Sequence, residues 1–425
     1  MIWILLLSLF GGDDWPDGVD RALALAGSNR PELERVLAEC RRHADPRRLE
    51  AACFLISHME EHGYSEIGVV DENGSEVAFD ALAFESLEAA RAHWRSLEEE
   101  HGPLRFRRVR FHADLEVISA DLLLAGIEDA FRAWEEIPES ERCNFEVFLE
   151  HVLPYRASNE PLEPWREICR ERVAGRARSE DGARIVEAAQ HWIGFSDLYY
   201  LHPTDQGLGS MLESGVGRCE DMSILATYAV RSTGRPAAAD YTPYWADFDN
   251  NHAWTVALDR QGRGHIDLFH RAAKVYRKTY SLQPENLAFR AGPDEVIPAW
   301  LSGRAYRDVT SDYYETIDVG LALEHPRSQS ALHAYLCVFN VGQWKPIHWS
   351  EVKNGHARFN EMTGDVLYLP ATFDEEGIHP AGRPFILEAN GHCRFLEPDP
   401  VDRVSPDLQK AYIEERAGRR RARVW

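Results

Sequence analysis

A chain of 425 residues, 44% of them hydrophobic, is long enough for two or three domains, each with its own core. Its 70 acidic residues against 47 basic ones leave a formal net charge of −23, which repels phosphate backbones and excludes nucleic acid as an expected partner. The balance suits a soluble protein whose substrate is neutral or basic.

Met1-Ile2-Trp3-Ile4-Leu5-Leu6-Leu7-Ser8-Leu9-Phe10-Gly11-Gly12 is the only long apolar run. It is too short to span a bilayer, so no membrane-spanning segment is expected. It reads as the apolar stretch of a secretory signal over residues 1–12, with Gly11-Gly12 near a cleavage site, although no Lys or Arg precedes it. Export to the periplasm, the cell surface or the medium is the expectation; a buried N-terminal segment in a cytoplasmic protein is the alternative.

Residues 18–62 read as a helical hairpin, with Ser28-Asn29-Arg30-Pro31 and Asp45-Pro46 as starts and Gly63 as the stop. Residues 66–79 look irregular or β-like, 85–99 helical and 105–111 strand-like. Residues 114–134 are amphipathic, with Leu123, Ile127 and Phe131 on one stripe. Helical spacing continues over 145–153 and 160–173. Residues 13–175 therefore read as a helical N-terminal domain.

The next region, 176–322, begins with a helix over 181–193. Tyr199-Tyr200-Leu201-His202-Pro203-Thr204-Asp205-Gln206 then leads to Gly215-Val216-Gly217-Arg218-Cys219-Glu220-Asp221-Met222-Ser223. The glycines permit a sharp turn. Met222, Leu225, Ala226, Ala229 and Val230 recur at helical spacing until Gly234 and Pro236. Cys219 thus opens a helix, where unpaired N–H groups and the positive dipole end favour a thiolate, and Arg218 adds a cation. Glu220 and Asp221 read as ordinary first-turn acids.

A thiolate nucleophile needs a base, and the base needs an orienter. Asn250-Asn251-His252-Ala253-Trp254-Thr255-Val256-Ala257-Leu258 reads as a strand with 252, 254, 256 and 258 on one face. A turn over 259–262 and a return strand from Gly264 pair 258 with 263. That register sets Asp267 diagonally beside His252 on the same face. His265 and Asp267 share a strand face but His270 falls on the other, so no metal set is read here. No cofactor motif is present either.

From 323 to 400 short strands alternate with turns at Gly342, Asn354-Gly355, Gly364-Asp365 and Asn390-Gly391, the pattern of a small β-sandwich. Trp344 and Trp349 read as core side chains in preference to sugar-stacking ones. Residues 401–425, with Arg419-Arg420-Arg421, read as a last helix or a solvated tail. Of the seven cysteines, Cys40, Cys53, Cys143, Cys169, Cys219, Cys337 and Cys393, none forms a CxxC pair, so no structural zinc cluster is signalled.

Cys219 on a helix, His252 in His-Ala-Trp on a strand and Asp267 beyond it resemble the transglutaminase-like superfamily over about residues 180–320. The order matches, as do gaps of 33 residues from 219 to 252 and 15 from 252 to 267. The resemblance implies an α+β fold in which a papain-like core, a helix packed on an antiparallel sheet, carries a Cys-His-Asp triad. Papain-like enzymes also place a polar side chain upstream of the nucleophile to bind the oxyanion. Gln206 is the candidate for that donor, with the Trp245 indole as competitor.

The resemblance further implies a thiol-dependent acyl-transfer enzyme acting on an amide or peptide bond of a protein, peptide or glycopeptide. Cys219 attacks, His252 moves the proton and Asp267 fixes the imidazole tautomer. Water or an amine then resolves the thioester. Two alternatives stand beside this reading: a peptide N-glycanase-like amidase, and a non-catalytic transglutaminase-like binding module.

Overall fold

Local caps start several helices where the sequence offers them. Ser86, Ser119, Asn144 and Asp181 each accept a backbone N–H three residues on, at 2.8–3.2 Å, and open Leu87–His101, Ala120–Glu135, Phe145–His151 and Gly182–Ala189. The computed structural model describes residues 15–174, 181–325, 328 and 330–397. The signal read at 1–12 and the tail read at 401–425 lie outside the described residues.

The described residues form two compact units. One takes those of Met1–Asp240, Ala253–His265 and Lys278–Leu282; the other takes those of Tyr241–His252, Ile266–Arg277 and Gln283–Trp425. In the first unit the expected hairpin is three helices, Asp17–Leu25, Arg30–Arg42 and Arg47–His58. Gly27, at a φ of 56°, separates the first two. Asn29 does not cap with its side chain. Its amide donates to the Leu115 and Ile118 carbonyls at 3.0 and 2.9 Å, tying two distant helix starts together. Leu33, Val36, Leu37 and Ile56 meet the predicted stripe of Leu123, Ile127 and Phe131 in one buried cluster.

This region is not purely helical. Gly63–Val70 is the centre of a three-stranded antiparallel sheet, flanked by Glu76–Val77 and Arg105–Ala113. The β-like reading of 66–79 and the strand-like reading of 105–111 overlap these strands, while their pairing across a whole intervening helix carries no local pattern.

Ala237–Thr242, His252–Ala257, Tyr276–Lys278 and Tyr306–Asp308 form a four-stranded sheet, with Ala237–Thr242 between His252–Ala257 and Tyr276–Lys278. The helix Cys219–Arg231 buries Ile224, Leu225, Ala226, Tyr228, Ala229 and Val230. Its Tyr228 ring stacks on Trp165, centroids 4.0 Å apart. Thr255 donates its hydroxyl to the Ser223 carbonyl at 2.8 Å and so fastens helix to strand.

The second unit carries a curled antiparallel sheet of eight strands in place of two stacked sheets. The order is Thr316–Ala322, His356–Thr363, Gln343–Lys353, His333–Asn340, Val366–Asp374, Phe385–Leu387 and Cys393–Phe395, with Gly377–Pro380 also on Val366–Asp374. Asn354 and Gly355, at φ of 53° and 74°, make the tight turn that their pair predicts. The boundary expected at 322/323 shifts. Thr316–Ala322 already belongs to this sheet, because Val319 and Leu321 turn inward against Phe359 and Ala357. No helix among the described residues is long and apolar enough to cross a membrane.

Candidate active site

The turn ahead of Cys219 is built by two glycines with different tasks. Gly215 ends the helix Leu208–Ser214 in the left-handed region at a φ of 65°. At Gly217 an added Cβ would fall 2.8 Å from the Asp221 Cβ and 3.0 Å from Ile193. Gly194–Phe195 pairs in parallel with Val216–Gly217 and holds the turn from outside.

Asp221 is the first-turn acid that the sequence suggests, closing a capping box, but it is wholly buried and also reaches a second stretch of chain. One carboxylate oxygen accepts the Arg218 N–H at 3.0 Å and the other the Gln206 N–H at 2.9 Å. Glu220, the other first-turn acid, also has distant partners. It accepts the Ser158 hydroxyl at 2.7 Å and pairs with Lys278, while Arg218 pairs with Asp205. Burial works against the Lys278 ammonium, yet Glu220 and Asp205 hold it above its usual range. Burial likewise opposes the Glu220 charge, and Lys278 overcomes it. Asp205, buried beside Glu220, is pushed up to about 6. Ser158 is set by its own scaffold. Arg156 clasps the buried Asp114, and Glu160 accepts the N–H groups of Ala157 and Ser158 at 2.6 and 2.8 Å.

Cys219 is the first residue of its helix and is half-buried. Its sulfur faces the backbone N–H of Ala253, which directly follows His252 in the chain. Burial raises the thiol above its ordinary value. The Ala253 N–H, Arg218 and the Glu220 N–H pull it down but do not prevail. The resting group is therefore a thiol, which corrects the thiolate expected from the helix dipole: desolvation outweighs the dipole here.

His252 begins its strand half-buried. Burial lowers its pKa, and the neighbouring His270 lowers it further, so the ring rests neutral. It lies 6.0 Å from the Trp245 ring. His270 stacks on Phe248 at 4.3 Å and lies 3.6 Å from Asp247. The loop leading to His252 is held by Asn340, which is fully buried. The Asn340 amide donates to the carbonyls of Trp245, Phe248 and Asn250 at 2.9–3.2 Å, and its oxygen accepts the Asn250 N–H at 3.1 Å.

A family model described as the transglutaminase-like superfamily matches residues 169–268. Those residues form a transglutaminase-like domain. No curated protein and no solved structure matches the chain.

Within the transglutaminase-like domain, Asp267 is not set by the expected ladder. The turn closes with the Asp259 N–H on the Arg263 carbonyl at 2.8 Å, one position away from the 258–263 pairing. Asp259 also accepts the N–H groups of Gln261 and Arg263 at 2.8 and 3.0 Å. After that closure 263–268 form no strand, and Asp267 is exposed. Gln206 is buried and donates its amide to the Val216 carbonyl at 3.0 Å, so it pins the cysteine turn. Trp245 is buried as well, bridged through its backbone to Ala272.

Ser158, Asp205 and Lys278 were missed by the sequence reading. They reach the start of the cysteine helix from far along the chain and carry no motif. Cys40, Cys53, Cys143, Cys169 and Cys337 are buried free thiols, and Cys393 is half-buried. Among the described residues, Asp374, Glu376 and His379 have ligand atoms within 4.8 Å of one another, but they sit at an exposed hairpin turn where His379 already bonds Asp374 at 2.7 Å.

Proposed function

We propose that the transglutaminase-like domain is a thiol-dependent acyl-transfer enzyme acting on an amide or peptide bond of a protein or peptide, through a thioester on Cys219. The supporting observation is the seat of the Cys219 sulfur, at the first residue of its helix and against the N–H of the residue that follows His252.

With thiol and imidazole both neutral at rest, His252 acts as a general base toward an incoming substrate. The thiol proton passes to the imidazole as sulfur bonds to the carbonyl carbon. The imidazolium returns that proton to the nitrogen as the C–N bond breaks and the amine leaves. Water or a second amine then attacks the thioester, and the thiol is regenerated. Asp267 serves as the orienter of His252 in this reading, and backbone N–H groups at the helix start, with Gln206 or Trp245, stabilise the oxyanion.

A second reading has its own support: the raised Cys219 thiol and the exposed Asp267 favour a binding module that keeps the scaffold without the chemistry. Mass spectrometry separates the two. After incubation with a peptide and glycopeptide library and acid quench, the enzyme reading expects an acyl adduct on Cys219 that His252→Ala abolishes. An unmodified Cys219 that iodoacetamide still alkylates at alkaline pH would leave the binding module standing. Export, proposed from residues 1–12, is checked by N-terminal sequencing of protein recovered outside the cytoplasm.

A further inference from the structure

The strand Arg105–Ala113 is an edge. Among the described residues it pairs only with Gly63–Val70, and residues 105 to 111 are all exposed. Its register contains a bulge. Ile67 stands opposite Arg108 but Glu66 opposite Arg110, so Val109 is the extra residue.

Side chains alternate across a strand, and the extra residue resets that alternation. Arg105, Arg107 and Arg110 therefore share the face of Val70, Gly68 and Glu66, while Phe106, Arg108 and Phe111 take the other. None of these four guanidiniums has a carboxylate within ion-pair distance among the described residues. Glu66 pairs with His112 at 2.8 Å, and Arg108 lies over the Phe111 ring at 5.7 Å. An uncompensated row of arginines on a chain of net charge −23 is a local reversal of the molecule's field.

The outer edge of such a strand presents N–H and C=O groups that template another strand. We propose that this edge binds an acidic polypeptide segment as an added strand, with Asp or Glu at every second position meeting Arg105, Arg107 and Arg110. The period of two in an extended chain supplies carboxylates on one face, and the guanidinium fork accepts each of them. A second copy of this strand would set like charges opposite each other, so self-pairing is disfavoured. Single-stranded nucleic acid fits less well. Phe106 and Phe111 lie on the face away from the three arginines, so bases could not stack beside held phosphates.

The proposal does not depend on Cys219, and its test uses the full chain. Fluorescence anisotropy with a short labelled peptide alternating glutamate and threonine should show saturable binding that weakens as salt rises. Arg107→Gln/Arg110→Gln should weaken it about tenfold, while Cys219→Ala should leave it unchanged. Hydrogen exchange of the amides over 105–111 should slow on binding, which pairing through side chains alone would not do. No saturable binding, equal binding of the lysine-for-glutamate peptide, tighter binding of a single-stranded oligonucleotide, or binding without amide protection would each overturn it.

Discussion

The C-terminal sheet and the cysteine corner are held by opposite means. Behind the sheet lie Leu336, Val338, Ile347, Phe359, Tyr368 and Phe385, buried side chains that need only the right volume. Around the start of the cysteine helix lie Asp205, Arg218, Glu220, Asp221 and Lys278, charged groups that must each keep a partner. The first arrangement tolerates exchange of one apolar group for another. The second fails when either member of a pair is removed, because the one left behind stays desolvated. The start of the Cys219 helix is thereby held largely by charges.

The largest expected effect breaks the link between reactivity and stability. Cys219→Ala should reduce acyl transfer to background in a turnover assay while shifting the melting temperature little, since the position is only half-buried. A variant that loses several kcal/mol would make Cys219 a core residue instead.

Acid comes next. Burial pushes His58 and His62 down to about 4, and His348 to about 3. Folded, these rings stay neutral in a range where the unfolded chain takes up protons at its ordinary 6.5. Stability is therefore complete above about pH 6.5 and falls toward pH 4, by on the order of 3 kcal/mol for each of His58 and His62. His348 contributes its full loss only at lower pH, so denaturant melts at stepped pH should show the unit of His58 and His62 weakening first. A flat profile between pH 7 and pH 4 would contradict the neutral burial of these rings.

The corner itself is probed by Lys278→Met. Glu220 then keeps its burial and loses its cation, at about 2–3 kcal/mol, below a fully enclosed pair because the two side chains are 24% and 18% exposed. Lys278→Met/Glu220→Gln should cost less than the sum of the single changes, and urea melts of the full cycle give the coupling. Simple additivity would reduce the pair to a surface contact. Smallest is Phe359→Leu behind the sheet, about 1–2 kcal/mol, with acyl transfer unchanged.

The same contrast explains what was legible in the sequence. The sheet announces itself through turns such as Asn354-Gly355, which falls between Gln343–Lys353 and His356–Thr363 where the sequence puts it. Its first strand, Thr316–Ala322, was assigned to the preceding domain because nothing local says which sheet a strand will join. The helix of Cys219 and the strand of His252 were readable from glycines, spacing and parity. Glu220 and Asp221 were seen, but their partners at 158, 206 and 278 lie too far along the chain for any pattern to connect them. Asp267 was placed by a register that needed the return strand to continue. Asp259 closes the turn one residue early by capping it with its own carboxylate, a competition between side chain and ladder that hydrophobic parity does not weigh.

Asn340 belongs to the C-terminal sheet, yet every group that it grips lies in the loop running into His252. One of the unit borders likewise runs between His252 and Ala253, inside a region that the sequence reads as one domain. The sheet and the loop running into His252 thus belong to one unit. A chain truncated after Ala322 would retain Cys219, His252 and Asp267 and still lose the Asn340 clasp on the loop before His252. Swapping the C-terminal region would then exchange the side chain that holds the His252 loop along with it.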